Sequence, residues 1–159
     1  MLKTTLKALV AVLTIMLVAT SGAFCGNQIW SLSSPSSLPS GFVGADYTHD
    51  DGGALVILCD KSKNLISYLL IDPRAHWEKG AQVSLTTKAD EGSQSGPTAA
   101  FVLEPTKLIV EEQSTWDIST MGKATSFFAM GDGVHARIFP VANFRQATTP
   151  VLQACGDHW

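Results

Sequence analysis

The residues best equipped for chemistry lie together in one short stretch, Tyr47-Thr48-His49-Asp50-Asp51-Gly52-Gly53. An imidazole beside two carboxylates offers ligands for a metal ion, or an acid–base pair for metal-assisted hydrolysis. His49 and Asp51 are the candidate ligands. Their spacing argues against the role. Successive side chains of an extended segment point in opposite directions. Zinc sites draw on three or four ligands at spacings such as HxxxH or CxxC, and neither spacing occurs in the chain. A calcium loop needs more oxygens than two carboxylates supply. A site here therefore requires a further histidine or carboxylate, brought from a distant part of the chain to face His49. Without one, the stretch is a polar turn in which Gly52 and Gly53 supply unusual dihedrals.

Other polar residues are weaker candidates. His76 has Asp72 nearby as an orienting carboxylate, but no GxSxG or cysteine–histidine signature supplies a nucleophile. That segment reads as a loop with Trp77 packed over a sheet edge. Glu111 and Glu112 are consecutive and point to opposite faces of a strand, whereas a glycosidase pair must face across a cleft. Glu104 with Glu111 has no supporting motif. His135 is expected in mid-strand on a polar face, and His158 in a tail. No catalytic residue and no cofactor is assigned.

The elements that hold these residues begin with an export signal. Lys3 and Lys7 precede an apolar run over residues 8–19, and Ser21 and Ala23 suit a cleavage site. This is the three-part pattern of a secretory signal peptide, and the run is shorter than the roughly 20 apolar residues of a membrane span. The expected location is periplasmic or secreted, and the mature chain is not expected to be an integral membrane protein. Loss of Lys3 and Lys7 leaves 9 of 11 basic residues against 14 acidic ones, a net charge of −5 instead of −3. An acidic chain without basic clusters argues against nucleic-acid binding.

Cys25, Cys59 and Cys155 are the only cysteines. In an oxidising compartment a Cys59–Cys155 disulfide is expected, tying the C-terminal tail to the core. Cleavage after Cys25 leaves an even count, whereas cleavage after Ala23 leaves Cys25 free or competing for a partner. Phe24 is a poor match to the residue before a lipid-anchored cysteine.

The expected organisation is a signal peptide over 1–23, an extended Ser/Pro-rich lead-in over 24–53 and a β-rich domain over 54–159. Residues 54–59 read as a strand buried on both faces, and 65–71 as its hairpin partner. Further strands are expected over 82–88, 99–103, 108–110, 126–130 and 134–139, with Gly131-Asp132-Gly133 as a turn. Residues 89–97 read as a polar loop and 115–121 as a short helix. A final helix is expected over 143–155, with Asn143 as N-cap and Pro150 as an interior irregularity. The fold class is mainly β: a single antiparallel β-sandwich or barrel-like domain closed by a C-terminal α-helix.

The strand ending in Cys59, Trp77-Glu78-Lys79-Gly80 before the 82–88 strand, and the stretch SFFAMGDGVHARIFPVANFRQATTPVLQAC form a wider pattern. It resembles the exported bacterial proteins of the invasion-associated locus B family, over residues 54–155. Phe144, Ala147, Leu152 and Cys155 match the family's final helix best, whereas Pro150 and the serine-rich lead-in depart from it. The resemblance implies a periplasmic or secreted non-enzymatic protein and transfers no catalytic residue. The expected function is an exported, soluble, non-enzymatic domain that binds a protein or another cell-envelope component. The alternatives are an inhibitor or immunity protein against a toxin or cell-wall hydrolase, and a metal-assisted hydrolase using His49 and Asp51.

Overall fold

The computed structural model describes residues 29–112 and 116–157. The expected signal peptide, Cys25 and His158 lie outside the described residues. Nine strands form one antiparallel sheet: β1 (Ser31–Leu32), β2 (Phe42–Thr48), β3 (Ala54–Asp60), β4 (Leu65–Ile71), β5 (Gln82–Ala89), β6 (Gln94–Glu104), β7 (Lys107–Glu112), β8 (Phe127–Gly131) and β9 (Ala136–Pro140). Their order is β1-β2-β3-β4-β7-β6-β5-β8-β9. Among the described residues the sheet is joined by two α-helices, α1 (Trp116–Lys123) and α2 (Phe144–Ala154), and a short 3-10 helix over Pro35–Ser37. The chain is thus mainly β and antiparallel with a C-terminal helix, as its apolar patterning implies.

The sheet stays open in its hydrogen bonding, yet its ends come together around one core. Trp30, just before β1, donates its indole N–H to the carbonyl of Pro140 in β9 at 2.7 Å. Its ring lies against Phe128, Phe139 and Phe144. The first and last strands of the order therefore meet through one tryptophan, which gives a barrel-like form.

Alternation sets which side chains enter that core. Leu55, Ile57 and Cys59 of β3 point inward with Ile66, Tyr68 and Leu70 of β4 and Leu108 and Val110 of β7. Full burial of an aliphatic side chain of this size stabilises by about 1.5–3 kcal/mol. From α2 the core receives Phe144, Ala147, Val151 and Leu152 at helical spacing, with Thr148 buried beside them. Pro150 lies inside this helix. The hydroxyls of Thr148 and Thr149 donate back to the carbonyls of Phe144 and Arg145, both at 2.7 Å.

Several boundaries differ from the sequence reading. Two strands precede Ala54, so residues 31–32 and 42–48 belong to the sheet instead of leading into it. Gly44 and Asp46 obscure β2 in the sequence, because both residue types are poor strand formers. Strand β6 begins at Gln94, inside the expected polar loop, because its first residues pair with β5 beyond a register shift between Leu85 and Thr87. Val134 and His135 belong to the β8–β9 turn, where Asp132 accepts both of their backbone N–H groups. Asn143 occupies the N-cap of α2 but makes no side-chain cap bond, and it contributes a left-handed φ of 62° instead.

The cysteine expectation has a direct geometric counterpart. The sulfurs of Cys59 and Cys155 lie 2.09 Å apart, with Cα atoms 5.8 Å apart. The bond fastens the end of α2 to β3. Both cysteines are buried with the core.

Candidate functional site

Two regions gather residues in ways that bear on function. The first contains the histidine–aspartate stretch. Residues 49–53 form the turn between β2 and β3, closed by the His49 N–H donating to the Gly53 carbonyl at 2.7 Å and the Gly52 N–H to His49 at 3.0 Å. The distant group that meets Asp51 directly there is a guanidinium. Arg137, on β9 and only 5% exposed, donates to Asp51 through Nη2 and to Asp72 through Nη1 at 2.9 Å. Asp72, 1% exposed, also accepts from Arg74 Nε at 2.9 Å and Arg74 Nη2 at 3.0 Å.

Gly53 makes this arrangement possible. The Arg137 guanidinium lies where a Cβ on residue 53 would sit, so a side chain there would displace it. The cluster ties the β2–β3 turn, the segment after β4 and strand β9 into one ion-paired unit. Burial opposes the charge on Asp72, but hydrogen bonds from Arg74 and Arg137 outweigh it and hold the carboxyl down at about 2. Asp51 is likewise held below the usual carboxylate range. Burial again works against this, and the Gly53 N–H and Arg137 overcome it. Asp72 therefore serves Arg74 and Arg137 and does not orient His76.

His49 has a separate environment. Its ring packs edge-on against Tyr47, with centroids 4.9 Å apart, and lies 5.3 Å from Phe139. Nε2 is enclosed and has no hydrogen-bond partner. Burial, then the neighbouring Arg137, lowers the imidazole pKa from its ordinary value. Among the described residues no group of three or more histidine, cysteine, aspartate or glutamate side chains is placed to hold a metal ion. Asp51 is thus part of a structural clasp, with His49 beside it in the same turn.

The remaining polar candidates are dispersed. Trp77 is buried and donates to Asp132 at 2.7 Å, and His135 stacks edge-on against its ring. Glu104 pairs with Lys107 at 2.8 Å. Glu111 lies opposite Ser67 on the outer face of the sheet. A hollow of about 210 Å³ beside Met121, Val141 and Phe144 is bordered by Arg145, which donates to the Gly122 carbonyl. Ligand pockets are commonly about 300–1,000 Å³.

The second region is apolar and lies on the outside of the sheet. Val56 stands opposite Leu69, Leu69 opposite Ile109, and Ile109 opposite Phe101. Directly paired residues share a face, so these four form one row across β3, β4, β7 and β6. Ile71 and Leu103 broaden it into a cluster separate from the main core. Leu69 and Ile109 are buried at the centre, whereas Val56, Ile71, Phe101 and Leu103 keep part of their surface in solvent. The row ends at Asp46, opposite Val56, and at Gln82, opposite Phe101. Sequence reading missed this surface as a site. The signal that could have found it is the pair of unbroken apolar runs in β3 and β4, which imply burial on both faces.

Among the described residues no helix is long and apolar enough to cross a membrane. Comparison of the chain with family models, with curated proteins and with solved structures gives no significant match.

Proposed function

We propose that this protein is an exported, non-enzymatic domain of the bacterial envelope that binds a protein partner through the outer face of its sheet. The observation that carries this reading is the Val56–Leu69–Ile109–Phe101 row. A contiguous apolar patch with a polar rim is the usual signature of a protein interaction surface. Its buried centre and half-exposed margin suit a partner that covers the margin and excludes water from the middle. The signal-like N-terminus and the cysteine pair support an oxidising, exported location. The resemblance to the invasion-associated locus B family points the same way.

The acidity of the chain favours one class of partner. With a net charge of −5 after signal removal, and Asp46 and Glu111 on the patch-bearing face, a basic protein is the better electrostatic match. Inhibition of a basic cell-wall hydrolase is the second reading, and that charge is what favours it.

A comparison of immobilised wild type with a Val56→Lys/Phe101→Glu variant in envelope extract tests the first reading. The expected result is a protein enriched about tenfold or more by the wild type over the variant, equivalent to about 1.4 kcal/mol of binding. Equal recovery of the same proteins by both would remove the outer face from the function. Addition of the purified protein to a basic cell-wall hydrolase tests the second reading, and undiminished hydrolysis at saturating protein rejects it.

A further inference from the structure

We infer that His49 is a proton-operated latch: its neutral ring closes the β2–β3 turn onto β9, and its imidazolium form releases that turn. The inference is independent of what the outer face binds. Contacts between the turn and β9 include the Asp51–Arg137 ion pair and the His49 ring beside Phe139. The ring packs against both Tyr47 and Phe139, with Nε2 enclosed and unpartnered. A neutral imidazole tolerates this position, because one unpaired acceptor is a modest cost. A protonated Nε2–H in the same slot would be a second buried cation near Arg137 with no acceptor in reach.

The groups around His49 set the direction of the response. Its own turn presents Asp50 and Asp51, β2 presents the Tyr47 phenol, β9 presents Arg137, and the segment after β4 presents Arg74 and Asp72. Asp50 and Asp51 attract an imidazolium, whereas Arg137 and Arg74 repel it. Asp51 is already engaged by Arg137 and by the Gly53 N–H at 2.9 Å. Asp51 and Asp72 stay ionised across the range where an imidazole titrates. The closed turn lowers the His49 pKa, so protons bind more tightly to the open turn. Closure is therefore complete above the ordinary imidazole value of 6.5 and weakens as pH falls below it. Opening uncovers the Tyr47 and Phe139 rings at this end of the sheet.

Hydrogen exchange of the full exported chain at pH 7.0 and pH 4.5, corrected for intrinsic exchange, tests the latch. Protection of the His49 and Gly52 amides is expected to fall several-fold at the lower pH, as protonation opens the turn that their hydrogen bonds close. Amides in β3 and β4 are expected to keep theirs. His49→Phe fills the slot with an uncharged ring and is expected to hold protection at both pH values. His49→Gln, which also cannot be protonated, serves if the phenylalanine variant fails to fold, and is expected to show no pH response in the turn. His135→Gln is expected to keep the wild-type response. Undiminished wild-type protection at pH 4.5, the same loss in a His49 variant, or disappearance of the response in His135→Gln would each overturn the inference.

Discussion

Val56 and Ile57 are adjacent in the chain and lie in different environments. Ile57 points inward and is fully buried in the core shared with Tyr68, Leu108 and α2. Val56 points outward into the small cluster of Leu69, Ile109 and Phe101 and remains half-exposed. The hydrophobic effect drove both faces of β3 toward apolar composition, but the fold covers only one of them with its own helices. The inner face accounts for stability. The outer face is left with apolar surface that folding alone does not require.

The largest expected effect tests the inner side of this contrast. Ile57→Ala should destabilise the domain by about 2–5 kcal/mol, because it leaves a cavity in a packed core, read from the urea midpoint at constant m-value. The disulfide comes next. Replacing Cys59 and Cys155 together by alanine should cost about 2–4 kcal/mol, measured by the same denaturation, since α2 then covers the inner face without its covalent tie. The ion-paired clasp closes the other end of β3 and should give an acid-sensitive contribution. The Asp72 carboxyl is held at about 2 against an ordinary 3.8, so its stabilisation is present above the ordinary value and lost as pH falls toward 2. That loss amounts to about 2 kcal/mol, and Asp72→Asn should flatten the stability profile between pH 4 and pH 2. The smallest effect belongs to the outer face. Val56→Ala should cost about 1 kcal/mol or less while weakening partner recovery. A loss equal to that of Ile57→Ala would show that the outer row is core, and the contrast would fail.

The two runs in β3 and β4 were legible as strands because unbroken apolar residues between polar turns have few other uses. Their boundaries follow from Asp60-Lys61-Ser62-Lys63-Asn64, a turn in which Asp60 accepts from Ser62. Strand β2 was less legible, because Gly44 and Asp46 interrupt its alternation. Gly44 allows Leu58 and Leu38 to approach its Cα closely, and Asp46 accepts the Ser33 hydroxyl at 2.7 Å. Both reasons are tertiary, so no local pattern announces them. The clasp was half legible. Polar residues at 49–51 mark a turn, but Arg137 lies 86 positions beyond Asp51 and has no motif that links it there.

Residue types and their alternation were sufficient to determine a mainly antiparallel β domain, a C-terminal helix with its apolar face over Phe144, Ala147, Val151 and Leu152, and cysteines suited to pairing. These properties depend on neighbours in sequence, where period and propensity act. The tertiary structure decided that both ends of one sheet meet at Trp30, that an arginine faces Asp51, and that Val56, Leu69, Ile109 and Phe101 align in one outer row. Each depends on register between strands far apart in the chain. Register is set by the packing of the whole core, which no single segment encodes.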